Sequence, residues 1–271
     1  MLGKLMKYEF KACGRVFFPL YIGILFLAIA NGVSIGSSLK DEGGAMMDPN
    51  ALNTQSILTL VLVALFVALF VITIVLTIQR FKKNLLDDEG YLMFTLPVKS
   101  SSLILSKFLV ALIYAIISGI VAILSFTIIG LIGENISLKE LIELFNVLSL
   151  QNIFVEGSEF IVYIILSMLV SYSIFVLTIY LALSVGQLPQ LSKHRVAAGV
   201  ILFFIINLIV SNIQHFVRSN LLGGVTEIEL TNNVVVSSYA YLSVDLLISI
   251  VIGVVLFLLT NWILNKKLNL E

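Results

Sequence analysis

The sequence predicts an all-α polytopic membrane protein with six transmembrane helices, an N-terminal amphipathic elbow helix and both termini in the cytoplasm. Two features of the composition lead to this fold class: 59% of the 271 residues are hydrophobic and only 12% are charged. Soluble domains carry about 25% charged residues. Half that content, with apolar runs of 20 residues or more, is typical of integral membrane proteins and leaves no room for a separate soluble enzyme domain.

Residues 1–14 form the predicted elbow helix. Apolar residues recur there at spacings of three and four, while Lys4, Lys7 and Lys11 share the opposite face. A basic amphipathic helix of this length can lie in the membrane interface but is too short to cross it. Two interpretations remain open: a basic flank that orients the first span, and an elbow that also meets a cytoplasmic partner. The run that follows has no small-residue cleavage site, so we expect a retained span and no cleavable signal peptide.

Six apolar runs are long enough to cross the hydrocarbon core, which is ~30 Å thick, at ~1.5 Å per helical residue. We expect Pro19 in the first turn of span 1, the serines at 100–102 as caps of span 3, and Lys107 snorkelling towards the interface. The chain as a whole, residues 1–271, is expected to form a single transmembrane domain. The predicted spans are residues 16–35, 57–78, 103–132, 160–185, 196–213 and 239–264.

The charges predict which loops face the cytoplasm. With six spans, 13 of the 16 Lys and Arg residues fall on the side of the two termini, and 11 of the 16 Asp and Glu residues fall on the other side. Basic residues concentrate on the cytoplasmic side of membrane proteins. Both termini and the loop at 80–102 are therefore expected inside.

Ionisable side chains are missing from the middle of every predicted span. Carriers that are coupled to ions or protons usually need such residues. If this chain moves a substrate uphill, we therefore expect the energy to come from another chain. The chain has no phosphate-binding loop motif, and its two histidines fall in loops on opposite sides, which disfavours a shared metal site. Asp245 is either an interfacial acid or part of a transport cavity. Mid-span polar residues are expected to form interhelical hydrogen bonds, and some to line a pathway: Thr73, Thr77, Ser118, Ser125, Ser171, Ser173, Thr178 and Asn207.

The loop at 80–102 is the most distinctive stretch of the chain. It holds an acidic cluster, a glycine and a short apolar segment, DDEGYLMFTL, between basic flanks. One interpretation is a solvated turn whose apolar residues rest on lipid headgroups. The other is a docking surface for a cytoplasmic partner, because conspicuous apolar residues in loops tend to mark interaction sites.

Two stretches of the sequence resemble the permease subunits of type-2 ABC transporters, chiefly small Gram-positive exporters of peptides or drugs. They are LMKYEFKACGRVFFPLY near the N-terminus and NLLDDEGYLMFTLPVKSSSLILSK between spans 2 and 3. In that family the loop between spans 2 and 3 is a coupling helix that sits on a separate cytoplasmic ATPase subunit. The resemblance implies that Met93 and Phe94 pack nearby and that the coupling residues are Asp87, Asp88, Glu89, Gly90, Tyr91 and Leu92.

The resemblance also implies a second, weaker cytoplasmic contact, which includes Gln187, Lys193 and His194. It implies a second permease copy, identical or a close paralogue, in a bacterial cytoplasmic membrane. The chain itself would bind no cofactor or nucleic acid, because ATP and Mg would be bound by the partner ATPase. The expected substrate is an amphipathic peptide or a hydrophobic compound. Two alternatives remain: a membrane scaffold or sensor subunit without a pathway, and, less favoured, an intramembrane enzyme.

Overall fold

The computed structural model describes residues 2–40, 49–86, 99–133, 158–188, 195–221 and 234–266. These residues form helices and no strand, and six of the helices are long and apolar enough to cross a membrane, which confirms the predicted all-α polytopic class. Each predicted span lies within one of them. The helices are α1 (Leu2–Lys40), α2 (Pro49–Leu85), α3 (Ser100–Gly133), α4 (Ser158–Gly186), α5 (Arg195–Leu221) and α6 (Val234–Lys266).

Helix α1 differs from the expectation because it runs without a break from Leu2 to Lys40. The predicted elbow at 1–14 is therefore the first part of a longer helix, and a separate elbow stays a prediction. Pro19 lies inside this helix, whereas the sequence predicted it in a first turn. Proline removes one backbone hydrogen bond, and spanning helices tolerate that loss because neighbouring groups and local adjustments satisfy the freed carbonyl.

The chain divides into two compact units, and the first comprises Met1–Leu5, Thr77–Leu112 and Gly157–Glu271. Helix α4 is its centre and packs on both α5 and α6. The largest buried side chain is Tyr180 of α4, which stacks on Phe81 of α2 with ring centroids 4.1 Å apart. Around this pair, apolar residues from α2, α3, α4, α5 and α6 form one hydrophobic cluster.

The second unit comprises Met6–Leu76 and Ile113–Glu156. Helices α1 and α3 approach so closely that a Cβ added at Gly36 would lie 2.8 Å from the backbone oxygen of Ile132. Only a residue without a side chain fits such a crossing, as in other small-residue contacts between spanning helices. Asn31 of α1 and Thr59 of α2 add a polar link, with 3.2 Å between their side-chain atoms.

Candidate functional site

The two helix ends that border the predicted coupling loop are buried in the core of the first unit. Phe81 and Leu85 of α2 and Ile104 of α3 are completely inaccessible, and Leu86 and Leu103 are nearly so. All five belong to the hydrophobic cluster around Tyr180. The chain thus enters and leaves the predicted loop from two fixed points.

Backbone hydrogen bonds complete these two anchors. The Leu86 amide donates to the Lys82 carbonyl over 2.9 Å, and the Ser102 amide donates to the Lys99 carbonyl over 2.9 Å. Since the carbonyl of Lys99 accepts the first bond of α3, Lys99 occupies the cap position, and the serines predicted as caps lie inside the first turn. The hydroxyl of Ser100 donates instead to Asn265 Oδ1 over 2.6 Å, which ties the start of α3 to the end of α6.

The end of α4 joins the same cluster. The Leu188 amide donates to the Val185 carbonyl over 3.1 Å, and the Leu188 side chain packs against the cluster. Gln187, part of the predicted second contact, is half-buried beside it. The ends of α2, α4 and α6 and the start of α3 therefore meet, as an alternating up-and-down order requires.

All six predicted coupling residues, and two residues of the predicted second contact, lie outside the described residues. This holds for Lys193 and His194 of the second contact, and for the whole predicted coupling set, Asp87, Asp88, Glu89, Gly90, Tyr91 and Leu92. Their roles stay predictions. The structure brings together the segments on either side of them, at one end of the first unit.

Lys107 is buried among its neighbours, and its predicted snorkelling stays a prediction. Its side chain is 5% exposed, on a stripe of α3 that also buries Leu103, Ser106 and Val110. These residues recur at spacings of three and four, so they share one face of the helix. Snorkelling depends on which face a lysine occupies, and a helix that is apolar all round does not reveal that face.

An apolar cleft of about 270 Å³ lies between α3, α4 and α6 in the first unit. Gly253 contributes to its floor, where an added Cβ would sit 4.0 Å from Ile174 and Leu177. Its two polar side chains are already engaged: the Ser173 hydroxyl donates to the Leu169 carbonyl over 2.7 Å, and Ser249 accepts from Gln214 over 3.3 Å. The cleft can therefore take apolar groups and offers no fixed charge.

The polar residues within the spans mostly bond to their own helices, contrary to the predicted interhelical hydrogen bonds. Thr73, Ser125, Ser173 and Thr178 each donate to the carbonyl four residues earlier. The side-chain amide of Asn207 likewise donates to the carbonyl of Phe203, four residues earlier. Such bonds satisfy the polar group without tying helices together.

Ser118, also one of these predicted polar residues, bonds to another helix. Its hydroxyl lies 2.9 Å from that of Tyr21, and the Tyr21 ring stacks on Phe17. Tyr114 also stacks on Phe17, and its hydroxyl donates to the Phe10 carbonyl over 2.7 Å. Sequence reasoning missed this aromatic network, although a tyrosine inside a span signals a need for hydrogen-bond partners.

The described residues contain no group of three or more His, Cys, Asp or Glu side chains that could hold a metal ion. Asp245 is half-buried near the beginning of α6, and His215 is exposed. No protein-family model, curated protein or solved structure matches this chain.

Proposed function

We propose that this chain is the membrane-spanning permease subunit of an ATP-driven ABC exporter, coupled to a separate cytoplasmic ATPase through the loop between α2 and α3. The observation that supports this function most directly is the anchorage of that loop. Phe81 and Leu86 on one side, and Leu103 and Ile104 on the other, are buried in one cluster with Tyr180. A loop that merely connects two spans needs turn formers and solubility, whereas one that transmits force needs rigid attachment at both ends.

Rigid attachment matters because the ATPase and the pathway are different chains in this proposal. A movement imposed on the loop reaches α2 and α3 directly, and it reaches α4 and α6 through the shared cluster and through the Ser100–Asn265 hydrogen bond. Packed interfaces transmit small displacements because they are not continuously deformable. The loop would thus be linked to most of the first unit.

The substrate class follows from the character of the spans. The cleft between α3, α4 and α6 is apolar, and its polar side chains are hydrogen-bonded internally. A small hydrophilic ion would meet no compensating charge on such a surface, so its desolvation would cost free energy that nothing offsets. An amphipathic peptide or a hydrophobic compound would have a much smaller desolvation cost. We assign the pathway to a dimer of permeases in a bacterial cytoplasmic membrane.

The proposal is tested by co-expressing the chain with candidate ABC ATPases and purifying it through a tag on the permease. We expect one ATPase to co-purify, ATP hydrolysis only in the complex, and stimulation by amphipathic peptides. The joint change of Asp87, Asp88 and Glu89 to alanine should uncouple transport from hydrolysis, because interfacial charge contacts contribute up to a few kcal/mol.

A matched control replaces Asp41, Glu42 and Asp48 in the predicted outer loop, where the same loss of three carboxylates should leave coupling intact. Equal effects of the two triple changes would contradict a special role for the loop between α2 and α3. A chain that binds an ATPase but moves no substrate would instead support the scaffold or sensor alternative.

A further inference from the structure

A hydrogen bond joins helices α3 and α6 at one end of the first unit, where α3 begins and α6 ends. The Ser100 hydroxyl donates to Asn265 Oδ1 over 2.6 Å. The amide nitrogen of Asn265 donates in turn to Asn261 Oδ1 over 3.2 Å, which fixes the orientation of the Asn265 side chain. We call these three residues the α3–α6 latch.

The apolar cleft between α3, α4 and α6 lies a short way along the same pair of helices. Eight residues from the latch on each helix stand Phe108 of α3 and Phe257 of α6, and both line the cleft. That step is ~12 Å at ~1.5 Å per helical residue. Ile250 and Val254 of α6 also line the cleft and are exposed, so the cleft opens to the outside of the unit. The separation of α3 and α6 therefore determines how wide it is.

Two attachments of very different strength hold the start of α3. Leu103 and Ile104 are inaccessible or nearly so and belong to the cluster around Tyr180, whereas Asn265 at the latch is exposed. Separating a buried cluster creates cavities, which costs far more than breaking one exposed bond. A single hydrogen bond changes an equilibrium constant by only about twofold to tenfold. A modest displacement can thus open the latch while the buried side of α3 stays attached.

The latch also lies next to the predicted coupling loop. Ser100 is the first residue of α3 and follows directly on Lys99, which caps the helix. A displacement that arrives along the chain from residues 87–98 therefore reaches the Ser100–Asn265 bond before it reaches the buried cluster.

We propose that the α3–α6 latch regulates the width of the cleft. While the Ser100–Asn265 bond is made, α3 lies against α6 and the cleft is narrow. When the bond breaks, α3 rocks away from α6 about its buried side, and the cleft widens to admit apolar molecules. The inference deepens the proposed function, because it names how the loop would control the cleft, but its test needs no ATPase.

The test measures access to the cleft with a tryptophan reporter in the full-length chain in nanodiscs. Trp262 is the chain's single tryptophan, so Trp262→Phe gives a dark background in which Phe257→Trp reports from the cleft. The quencher is bromonaphthalene, which partitions into the bilayer. A control reporter, Phe126→Trp, replaces a residue of α3 that is 64% exposed, so its quenching reflects only the quencher in the lipid.

We expect Asn265→Ala and Ser100→Ala each to raise the quenching of the Phe257→Trp reporter several-fold and to leave the Phe126→Trp reporter unchanged. The two changes together should do no more than either alone, since both remove one bond. Ser100→Thr retains the hydroxyl and should behave as the wild type. Asn220→Ala is the matched control, because Asn220 is an exposed asparagine whose amide bonds within α5. Equal quenching in Asn265→Ala and the wild type, or the same rise in Asn220→Ala, would overturn the proposal.

A reversible cross-link tests the same point without depending on the fold of a single variant. Ser100→Cys and Asn265→Cys, combined with Cys13→Ser, are joined by a short reducible thiol cross-linker. Quenching of the Phe257→Trp reporter should fall to the wild-type level on cross-linking and rise again on reduction. Quenching that ignores the cross-link would show that the latch does not control the cleft.

The outcomes separate this inference from the proposed function. A cleft that opens and closes with the latch, in a chain with which no ATPase co-purifies, supports the latch and contradicts the exporter. An ATPase that co-purifies and is stimulated by peptides, while the cleft reporter ignores the latch variants, does the reverse.

Discussion

Phe81 carries much of the packing at the anchor of the predicted coupling loop. Its ring is fully buried and stacks on Tyr180, in a cluster to which five helices contribute. Removing a buried aromatic side chain leaves a cavity as well as losing its contacts. The residue therefore links the stability of the unit to the position of the loop.

We predict that Phe81→Ala lowers the free energy of unfolding by about 3–5 kcal/mol, the range for truncating a buried phenylalanine. Phe70→Ala is the matched control, because Phe70 lies on the same helix but is 66% exposed. It should cost well under 1 kcal/mol, since its ring is not packed in the core. Denaturant unfolding in mixed micelles measures both, and similar values for the two variants would show that the aromatic stack contributes little.

Gly36 is decisive for the crossing of α1 and α3. A Cβ there would lie 2.8 Å from the Ile132 carbonyl oxygen, and a backbone oxygen cannot rotate away as a flexible side chain would. We predict that Gly36→Ala destabilises the protein by about 1–3 kcal/mol, the usual cost of overpacking. Gly119 has nothing within 4 Å of an added Cβ, so Gly119→Ala should be neutral or slightly stabilising.

Thermal unfolding of the two variants beside the wild type provides the comparison. Equal stability of Gly36→Ala and Gly119→Ala would contradict the prediction. It would mean that α1 and α3 can move apart at Gly36 with no loss in the free energy of unfolding.

At the scale of elements, the junctions between α2, the predicted coupling loop and α3 matter most. An insertion at a junction loosens the attachment of the loop and leaves the loop's own sequence intact. Such a variant separates binding of the ATPase from transmission of movement to the helices. We predict that three glycines inserted between Leu86 and Asp87 leave the ATPase bound but reduce substrate-stimulated hydrolysis at least tenfold. The reason is that a flexible linker no longer passes displacement from the loop to α2.

The control is the same insertion between Glu42 and Gly43, in the predicted outer loop. Pull-down measures binding, and phosphate release measures stimulation, so the two properties are read separately. Undiminished stimulation after the insertion at Leu86 would mean that the anchor does not transmit force.

At the scale of the whole molecule, the membrane orientation is accessible to cysteine labelling in a Cys13→Ser background. Lys83 and Lys99 are exposed at the predicted inner ends of α2 and α3, and Ser37 and Ser219 are exposed at the predicted outer ends of α1 and α5. We predict that a membrane-impermeant maleimide labels cysteines at the two serine positions in intact cells, and those at the two lysine positions only after lysis. Asn84, although it lies in the same predicted segment, is 9% exposed and would label poorly on either side.

Labelling of Lys83→Cys in intact cells would reverse the assignment of the two faces. The prediction depends on the placement of 13 of the 16 basic residues, a bias that orients membrane proteins during insertion.

The sequence by itself determined that the chain is helical and where its six spans lie. Inside a bilayer every backbone amide must find a partner within its own segment, so an apolar run such as 57–78 can only be a helix. The charges likewise determine the predicted orientation, because nearly all of them lie outside the apolar runs, in the loops or beside them. The predicted coupling residues, Asp87 to Leu92, come from the same loops and lie outside the described residues.

Only the tertiary structure decided which face of each helix is buried. In water an amphipathic pattern marks the core, but lipid is as apolar as the core, so spans that are apolar all round carry no such mark. That is why the sequence did not reveal that Lys107 is buried, and why it did not separate the buried Tyr180 from the exposed Phe70. The pairing of Phe81 with Tyr180 depends on helix rotation, which packing determines and hydropathy does not record.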